Sequence, residues 1–148
     1  MKTPTPFLFF STLLVAASLP ANAEQAKVFG DYTVHYSAFS TDILTPEVAK
    51  SYQIPRSKNR ALLNISVLKK LMGTTGQPVK ADVKATATNL SAQLRELDVR
   101  ELAEHGAVYY IAQTTVANEE TLRYEISITP EGESAAFTFS FDQQFFTD

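Results

Sequence analysis

The chain has 148 residues, of which 45% are apolar and 20% are charged, and its formal net charge is −3. This size and apolar content predict one folded domain, with or without a removable segment, and they exclude a disordered chain. The sequence contains no cysteine, which excludes a disulfide framework, a cysteine nucleophile and thiolate metal sites. The slightly acidic balance gives no sign of a nucleic-acid binder, since such proteins usually carry a basic excess.

Residues 1–23 have the three parts of a secretory signal peptide. Lys2 lies near the start, an apolar run covers 7–19, and an Ala-Asn-Ala cleavage pattern follows at 21–23. The apolar run has about thirteen residues, too few to span a bilayer of roughly 30 Å as a helix. The alternative is an uncleaved N-terminal anchor. We expect a mature chain that begins near Glu24, has a net charge of −4, contains no membrane span and is located in the periplasm.

Most of the mature chain alternates between apolar and polar residues with a period of two, which is typical of strands with one buried face. For example, Tyr32, Val34 and Tyr36 are separated by Thr33 and His35. Together with a nearly continuous apolar run at 61–68, which is expected to be covered on both faces, this pattern predicts seven strands, at 32–38, 61–68, 79–88, 95–102, 107–116, 122–129 and 137–142. Short turns join most of them and no strand is followed by a long helix, which favours an antiparallel sandwich.

One short helix is predicted over 45–52, between the first two predicted strands, because Thr45 can cap it and Pro46 suits its first position. The segment 92–104 is ambiguous, since it contains good helix formers as well as an alternating pattern. We favour a strand over 95–102. The sequence therefore predicts an all-β protein, an immunoglobulin-like antiparallel β-sandwich formed by a single domain over 24–148.

Several short segments resemble a family of small exported proteins of Gram-negative bacteria that is described only as a domain of unknown function. The resemblance covers essentially the whole mature chain. It implies an immunoglobulin-like sandwich and a strand around 97–104, and it implies no reaction and no catalytic residue. The most specific segments are Phe29-Gly30-Asp31-Tyr32, His35-Tyr36-Ser37-Ala38-Phe39, Arg56-Ser57-Lys58, Asn64 with Val67, and Tyr109-Tyr110.

Hydrolysis by a serine or threonine needs a base held in place by a third group, and only His35 and His105 offer an imidazole. The same two histidines, with Met72, are the candidate copper ligands, although they form no clustered motif. Further oxygen ligands are available from Asp31, Asp42 and Asp98.

Glycosidase chemistry needs two carboxylates that face each other across a cleft. The acidic pairs in the sequence are Glu119 with Glu120 and Glu131 with Glu133, and both are expected on turns, where carboxylates are usually solvated. We therefore expect no catalytic activity and no cofactor.

The most concentrated polar signal is a group of three cations, Arg56, Lys58 and Arg60, in an otherwise acidic chain. Arg side chains can hold a carboxylate or phosphate through two parallel hydrogen bonds, and Lys acts as a point charge. The group can equally bind acidic turns of the same molecule or remain solvated.

Tyr109 and Tyr110 point to opposite faces of their strand. One of them is expected in the core with a bonded hydroxyl, and the other can contribute to a contact surface. Tyr110 is included with the three cations among the candidate binding residues. Phe137, Phe139 and Phe141 are expected in the core, and a lipid pocket is the alternative.

The sequence therefore favours a non-catalytic periplasmic binding or accessory module with a protein partner in the cell envelope. Such a module can accept a partner's strand at a sheet edge or present the loop 55–60 to an anionic group. The alternatives are a periplasmic copper carrier and, with less support, an unrecognised hydrolase.

Overall fold

The computed structural model describes residues 24–148, so the signal-peptide prediction lies outside the described residues. This part of the chain forms ten strands, one α-helix (α1, Pro46–Ser51) and one turn of 3₁₀ helix (Thr41–Ile43). No helix within it is long and apolar enough to cross a membrane. The strands are β1 Gln25–Phe29, β2 Tyr32–Ser40, β3 Arg60–Lys69, β4 Gln77–Pro78, β5 Ala81–Asn89, β6 Leu94–Glu96, β7 Arg100–Glu104, β8 Ala107–Thr115, β9 Thr121–Pro130 and β10 Phe137–Gln144.

The strands form two antiparallel sheets. The first sheet has the order β1-β2-β3-β8-β7, and the short β4 pairs with the end of β3. The second sheet has the order β10-β9-β5-β6. The all-β prediction is therefore confirmed, with two antiparallel sheets and one isolated helix.

One hydrophobic core is built from the inward-facing residues of both sheets. Leu63 and Ile65 of β3 face Leu122 and Ile126 of β9 in this core, and each is at most 1% exposed. Full burial of one such side chain contributes about 1.5–3 kcal/mol to folding. The predicted alternation of β2, β5 and β9 therefore reflects a single buried face on each strand.

An aromatic cluster closes the core between the first strand of one sheet and the last strand of the other. Phe29 stacks on Phe137 with ring centroids 4.4 Å apart, and Phe141 lies 4.7 Å from Tyr36 and 5.1 Å from Tyr124. Phe139 is 9% exposed and packs against Tyr36. The core prediction is thus confirmed for Phe139, whereas Phe137 and Phe141 are partly buried and pack against the core.

The predicted number of seven strands is wrong, because the described chain has ten. β1 was not predicted, because its inward positions include Gln25 and Lys27 and therefore lack the apolar alternation. The two-residue β4 was not predicted either. Because β1 precedes β2, the predicted helix lies between the second and third strands rather than between the first two. Its N-terminus begins as predicted, with the Thr45 hydroxyl accepting a hydrogen bond from the Val48 N–H.

The ambiguous segment is extended rather than helical, but it does not form one strand. Its first part, β6, pairs with β5 in the second sheet, and β7 pairs with β8 in the first sheet. Leu97 and Val99 lie at the crossing between the sheets and pack against the core. Alternation is preserved through the crossing, which is why the sequence pattern could not reveal it.

A second, smaller hydrophobic cluster lies on the outer face of the first sheet. Leu62 of β3 and Ile111 of β8 point outward and are covered by Ile54, and all three are at most 5% exposed. Leu44 and Tyr52 pack against the same cluster. The segment between β2 and β3 thus covers this face, and it leads directly into the three cations at 56–60.

Two buried tyrosines have contrasting hydroxyl environments. The Tyr110 hydroxyl accepts a hydrogen bond of 2.7 Å from the Ala81 N–H and donates to Glu101 at 3.3 Å. The Tyr124 hydroxyl is buried with no hydrogen-bond partner in the described part of the chain, and burial raises the pKa of Tyr124 well above its ordinary value. Tyr110 therefore joins the two sheets, whereas the Tyr124 hydroxyl contributes no bond.

Replacing each tyrosine by phenylalanine should separate these two roles. Tyr110→Phe should lower the free energy of unfolding by about 1–3 kcal/mol, because the Ala81 N–H loses its acceptor. Tyr124→Phe should leave it unchanged or raise it, because no hydrogen bond is lost and less polar surface is buried. Urea unfolding of the two variants measures both values, and an equal loss in both would contradict the assignment.

Candidate functional site

The loop 55–60 is held in place by a buried threonine of the 3₁₀ turn. The Thr41 side chain is 0% exposed. Its hydroxyl donates to the Pro55 carbonyl at 2.8 Å and accepts from the Ser57 N–H at 2.9 Å. The far end of the loop is fixed by a bond of 2.9 Å from the Val116 N–H to the Asn59 carbonyl. The loop is therefore tied to the fold at both ends.

The three cations of this loop, Arg56, Lys58 and Arg60, are called the basic loop below. Arg56 and Lys58 are exposed, and Arg60 is half-buried opposite Thr115 of β8. Within residues 24–148, none of the three lies within 4.0 Å of a carboxylate oxygen.

Arg56 Nη2 makes one hydrogen bond, of 2.9 Å to the backbone carbonyl of Asp42. This bond orients the guanidinium group, and its other N–H donors have no hydrogen-bond partner among residues 24–148. A guanidinium in this state can still bind a carboxylate or phosphate. Asp42, which supplies this carbonyl, also has a carboxylate oxygen, Oδ1, that is buried without a hydrogen-bond partner among the described residues.

The structure does not bring Tyr110 together with the basic loop. Tyr110 faces the core and is 3% exposed, whereas Tyr109 is the exposed member of the pair at 39%. Tyr110 pairs with Ile65, five residues beyond Arg60 along β3, which corresponds to about 16 Å. Of the pair, Tyr109 is therefore the residue available to a contact surface.

The candidate metal ligands are scattered. His35 lies in the middle of β2 with its Nδ1 3.6 Å from Glu24, and His105 lies in the turn between β7 and β8 with its Nδ1 3.5 Å from Glu104. Met72 is 99% exposed. Across residues 24–148, there is no group of three or more His, Cys, Asp or Glu that could hold a metal ion.

One glutamate of each candidate carboxylate pair, Glu120 and Glu133, is engaged by other residues of the domain. Glu120 binds Arg95 at 2.6 Å and accepts the Ala117 N–H at 2.9 Å. Burial raises the pKa of Glu120, but hydrogen bonds from Ala117, Arg95 and Asn89 outweigh it and hold the pKa below its ordinary value. Glu133 accepts a hydrogen bond of 2.9 Å from the Tyr32 hydroxyl. Both glutamates thus have a structural role.

A shallow groove of about 770 Å³ lies on the outer face of the second sheet, and it was not among the predicted sites. Thr86 is one of its lining residues and pairs directly with Glu96 on one side and Glu125 on the other. Both carboxylates and Lys84 are exposed. The sequence pattern that could have indicated this groove is the set of polar residues that alternate with apolar residues along β5, β9 and β10. The groove can form hydrogen bonds with a polar ligand, and its walls are open to water.

The fold resembles several solved structures. A protein of the DUF4426 family from Pseudomonas aeruginosa is 35% identical, with a TM-score of 0.72, and the match covers 84% of this chain and 96% of that one. FetP of uropathogenic Escherichia coli, recombinantly expressed in the periplasm, is 10% identical with a TM-score of 0.58, covering 84% and 94%. A copper-bound FetP variant is also 10% identical with a TM-score of 0.56, covering 83% and 95%. At this identity, the likeness to FetP concerns the fold alone.

No curated protein matches the chain. The model of one family, described as a domain of unknown function, matches residues 26–148, which is nearly all of the described chain. The resemblance inferred from the sequence is thereby confirmed: the chain belongs to the DUF4426 family.

Proposed function

We propose that this protein is an exported, non-catalytic binding module of the periplasm, with an immunoglobulin-like domain over 24–148 that binds an anionic group of an envelope partner at the basic loop. The observation that carries this proposal is the state of Arg56, Lys58 and Arg60. They lie close together in a loop fixed by Thr41, and none of them is engaged by a carboxylate within the described residues. The solvent-exposed cations therefore remain available to a ligand.

The anchoring by Thr41 supports binding because it orders the loop before a ligand arrives. A flexible loop loses conformational freedom on binding, and this cost is smaller when the loop is already fixed. An ion pair between exposed groups contributes about 0.2–1 kcal/mol, and an Arg that holds the anion by two parallel hydrogen bonds gives the more specific contact. A few such contacts give a weak affinity, which suits a carboxylate or phosphate carried by a larger partner that adds contacts of its own.

The predicted signal peptide supports export to the periplasm. A chain without cysteine can fold in an oxidising compartment without forming disulfides. A FetP variant binds copper, but we do not propose copper binding for this chain. Residues 24–148 contain no group of three or more His, Cys, Asp or Glu that could hold a metal ion. The proposed envelope partner is a protein and not a nucleic acid.

Export can be tested by expressing the full chain in a Gram-negative host. The periplasmic extract should contain a protein whose intact mass corresponds to residues 24–148, because cleavage is expected after Ala23. Mutation of both Ala21 and Ala23 to leucine should block cleavage, since the small-residue pattern is lost. Recovery of the unprocessed wild-type chain in the membrane fraction would instead support an uncleaved anchor.

The role of Thr41 can be tested with a pair of substitutions. Thr41→Val should lower the free energy of unfolding by about 1–3 kcal/mol, because the Ser57 N–H and the Pro55 carbonyl lose their partner. Thr41→Ser keeps the hydroxyl and should lose less. Urea unfolding measures the stability, and amide exchange at Ser57 reports on the order of the loop. A serine variant as unstable as the valine variant would show that the hydroxyl is not the anchor.

Anion binding can be tested by NMR titration of the purified mature chain with inorganic phosphate and with citrate. Shifts should be concentrated at 56–60 and saturate in the millimolar range. The double variant Arg56→Ala with Lys58→Ala should weaken binding at least about tenfold, since it removes two charged donors.

The matched control removes the same charge elsewhere. Lys70→Ala with Lys84→Ala replaces two exposed lysines outside the basic loop and should bind both anions as the wild type does. An equal loss of affinity in the two double variants would mean that net charge, and not the basic loop, governs binding. The same pair of variants can be compared for retention of a periplasmic protein that co-purifies with the wild type.

A further inference from the structure

β10 forms an edge of the second sheet and has an unpaired side. It pairs with β9 alone among the described strands. The Phe145 N–H donates to the Glu120 carbonyl at 2.9 Å, which marks this position as a hydrogen-bonded pair that continues the register of the two strands. Hydrogen-bonded pairs alternate along an antiparallel ladder. The backbone groups of Phe137, Phe139 and Phe141 therefore point to β9, and those of the residues between them point away.

Thr138, Ser140 and Asp142 thus each direct one N–H and one carbonyl outward at this edge. The next outward carbonyl, that of Gln144, accepts a hydrogen bond of 2.9 Å from the side chain of Gln143. The free part of the edge is therefore the stretch 138–142. A row of outward N–H and carbonyl groups of this kind can pair with a further strand.

β10 is also the least protected edge of the two sheets. It is eight residues long, whereas β1 and β7 have five and β6 has three. It contains no proline, its register with β9 is uninterrupted, and its one charged residue, Asp142, is bound to Arg123 at 2.8 Å. Edges that must remain free usually carry charges, prolines or bulges. These protections are missing at β10.

A half-buried aromatic seam runs beside this edge, between β10 and β1. Phe137 and Phe141 of β10 and Phe29 of β1 are only half-buried, although they pack against the core. Lys27 points into the same seam, and its Nζ lies 5.4 Å from the centroid of the Phe139 ring. Lys27 forms no ion pair with any residue in 24–148. A strand added to β10 would cover the aromatic rings and approach this ammonium group.

We propose that β10 accepts an extended segment of another polypeptide as an additional strand of the second sheet. The segment pairs with the outward backbone groups of 138–142. Most inward side chains of the segment are apolar and cover the aromatic seam. The inward side chain next to Phe139 is acidic and contacts the ammonium group of Lys27. This surface is separate from the basic loop and does not depend on anion binding there.

A second copy of the same chain fits the edge less well. Pairing of two β10 strands would direct Phe137, Phe139, Phe141 and Gln143 of the second copy into the seam. None of these side chains can neutralise Lys27. A partner with alternating apolar residues and a carboxylate satisfies the backbone groups, the aromatic rings and the ammonium together.

The test uses peptides selected on the purified mature chain. A library of random twelve-residue peptides displayed on phage is enriched for binding, and the enriched peptides are synthesised and measured by fluorescence anisotropy. The proposal requires apolar residues at alternate positions and an acidic residue on the same face. Failure to enrich any peptide, or enrichment of peptides without this alternation, would overturn it.

Two substitutions at one position provide the matched comparison. Ser140→Pro removes an N–H that points away from β9, so the existing ladder is retained while strand addition is blocked. Ser140→Thr keeps the N–H and suits a strand. Binding of the selected peptide should weaken at least about tenfold in the proline variant and stay unchanged in the threonine variant. Lys27→Gln should weaken it at least about threefold, and equal binding to all variants contradicts the proposal.

A measurement on the wild-type chain keeps the test valid if the proline variant does not fold. In the free protein, the amides of Thr138, Ser140 and Asp142 should exchange faster by NMR than those of Phe139 and Phe141. The selected peptide should slow all three. The proposal is overturned if the peptide leaves the exchange rates of these three amides unchanged. It is also overturned if sedimentation shows that the wild-type chain is a dimer and the same amides are already protected in it. The double variant Arg56→Ala with Lys58→Ala should bind the peptide normally, which separates this edge from the basic loop.

Discussion

The need to shield the outer face of β3 and β8 from water determines where the basic loop lies. β3 is a central strand, and it carries apolar side chains on both faces. Its inner face is covered by the second sheet, but Leu62 and the neighbouring Ile111 need a separate cover. The connection from β2 provides it through Ile54, and the hydroxyl of Thr41 then orients the chain that follows. The three cations are thereby presented in an ordered loop at the margin of a hydrophobic cluster.

The two sheet edges that meet at the aromatic seam differ in their protection against further strand pairing. β1 directs Lys27 inward, and an inward charge is one of the ways in which proteins prevent further strand pairing. β10 has no comparable protection, although its phenylalanines extend the core to the same seam. The longest unpaired strand edge among the described residues thus lies beside partly buried aromatic rings. The basic loop and this edge are independent surfaces, which is compatible with a module that contacts one partner at two places or two partners.

Period-two alternation was a reliable guide wherever a strand has one buried face, as in β2, β5 and β9. It failed at β1, because an edge strand can point Gln25 and Lys27 inward without burying them fully. It could not separate β6 from β7, because Leu97 and Val99 at the crossing itself both pack against the core. The cap at Thr45 was predictable because its hydrogen bond to Val48 involves residues only three positions apart.

The sequence by itself determined the strand-rich character of the chain, its short capped helix, its family and the grouping of three cations within five residues. These properties depend on neighbouring residues and on composition. Only the tertiary structure decided that Tyr110 and not Tyr109 enters the core, that Thr41 fixes the basic loop, and that β10 pairs on one side alone among the described strands. Alternation shows that adjacent side chains face opposite ways, but the packing of distant strands decides which way is inward.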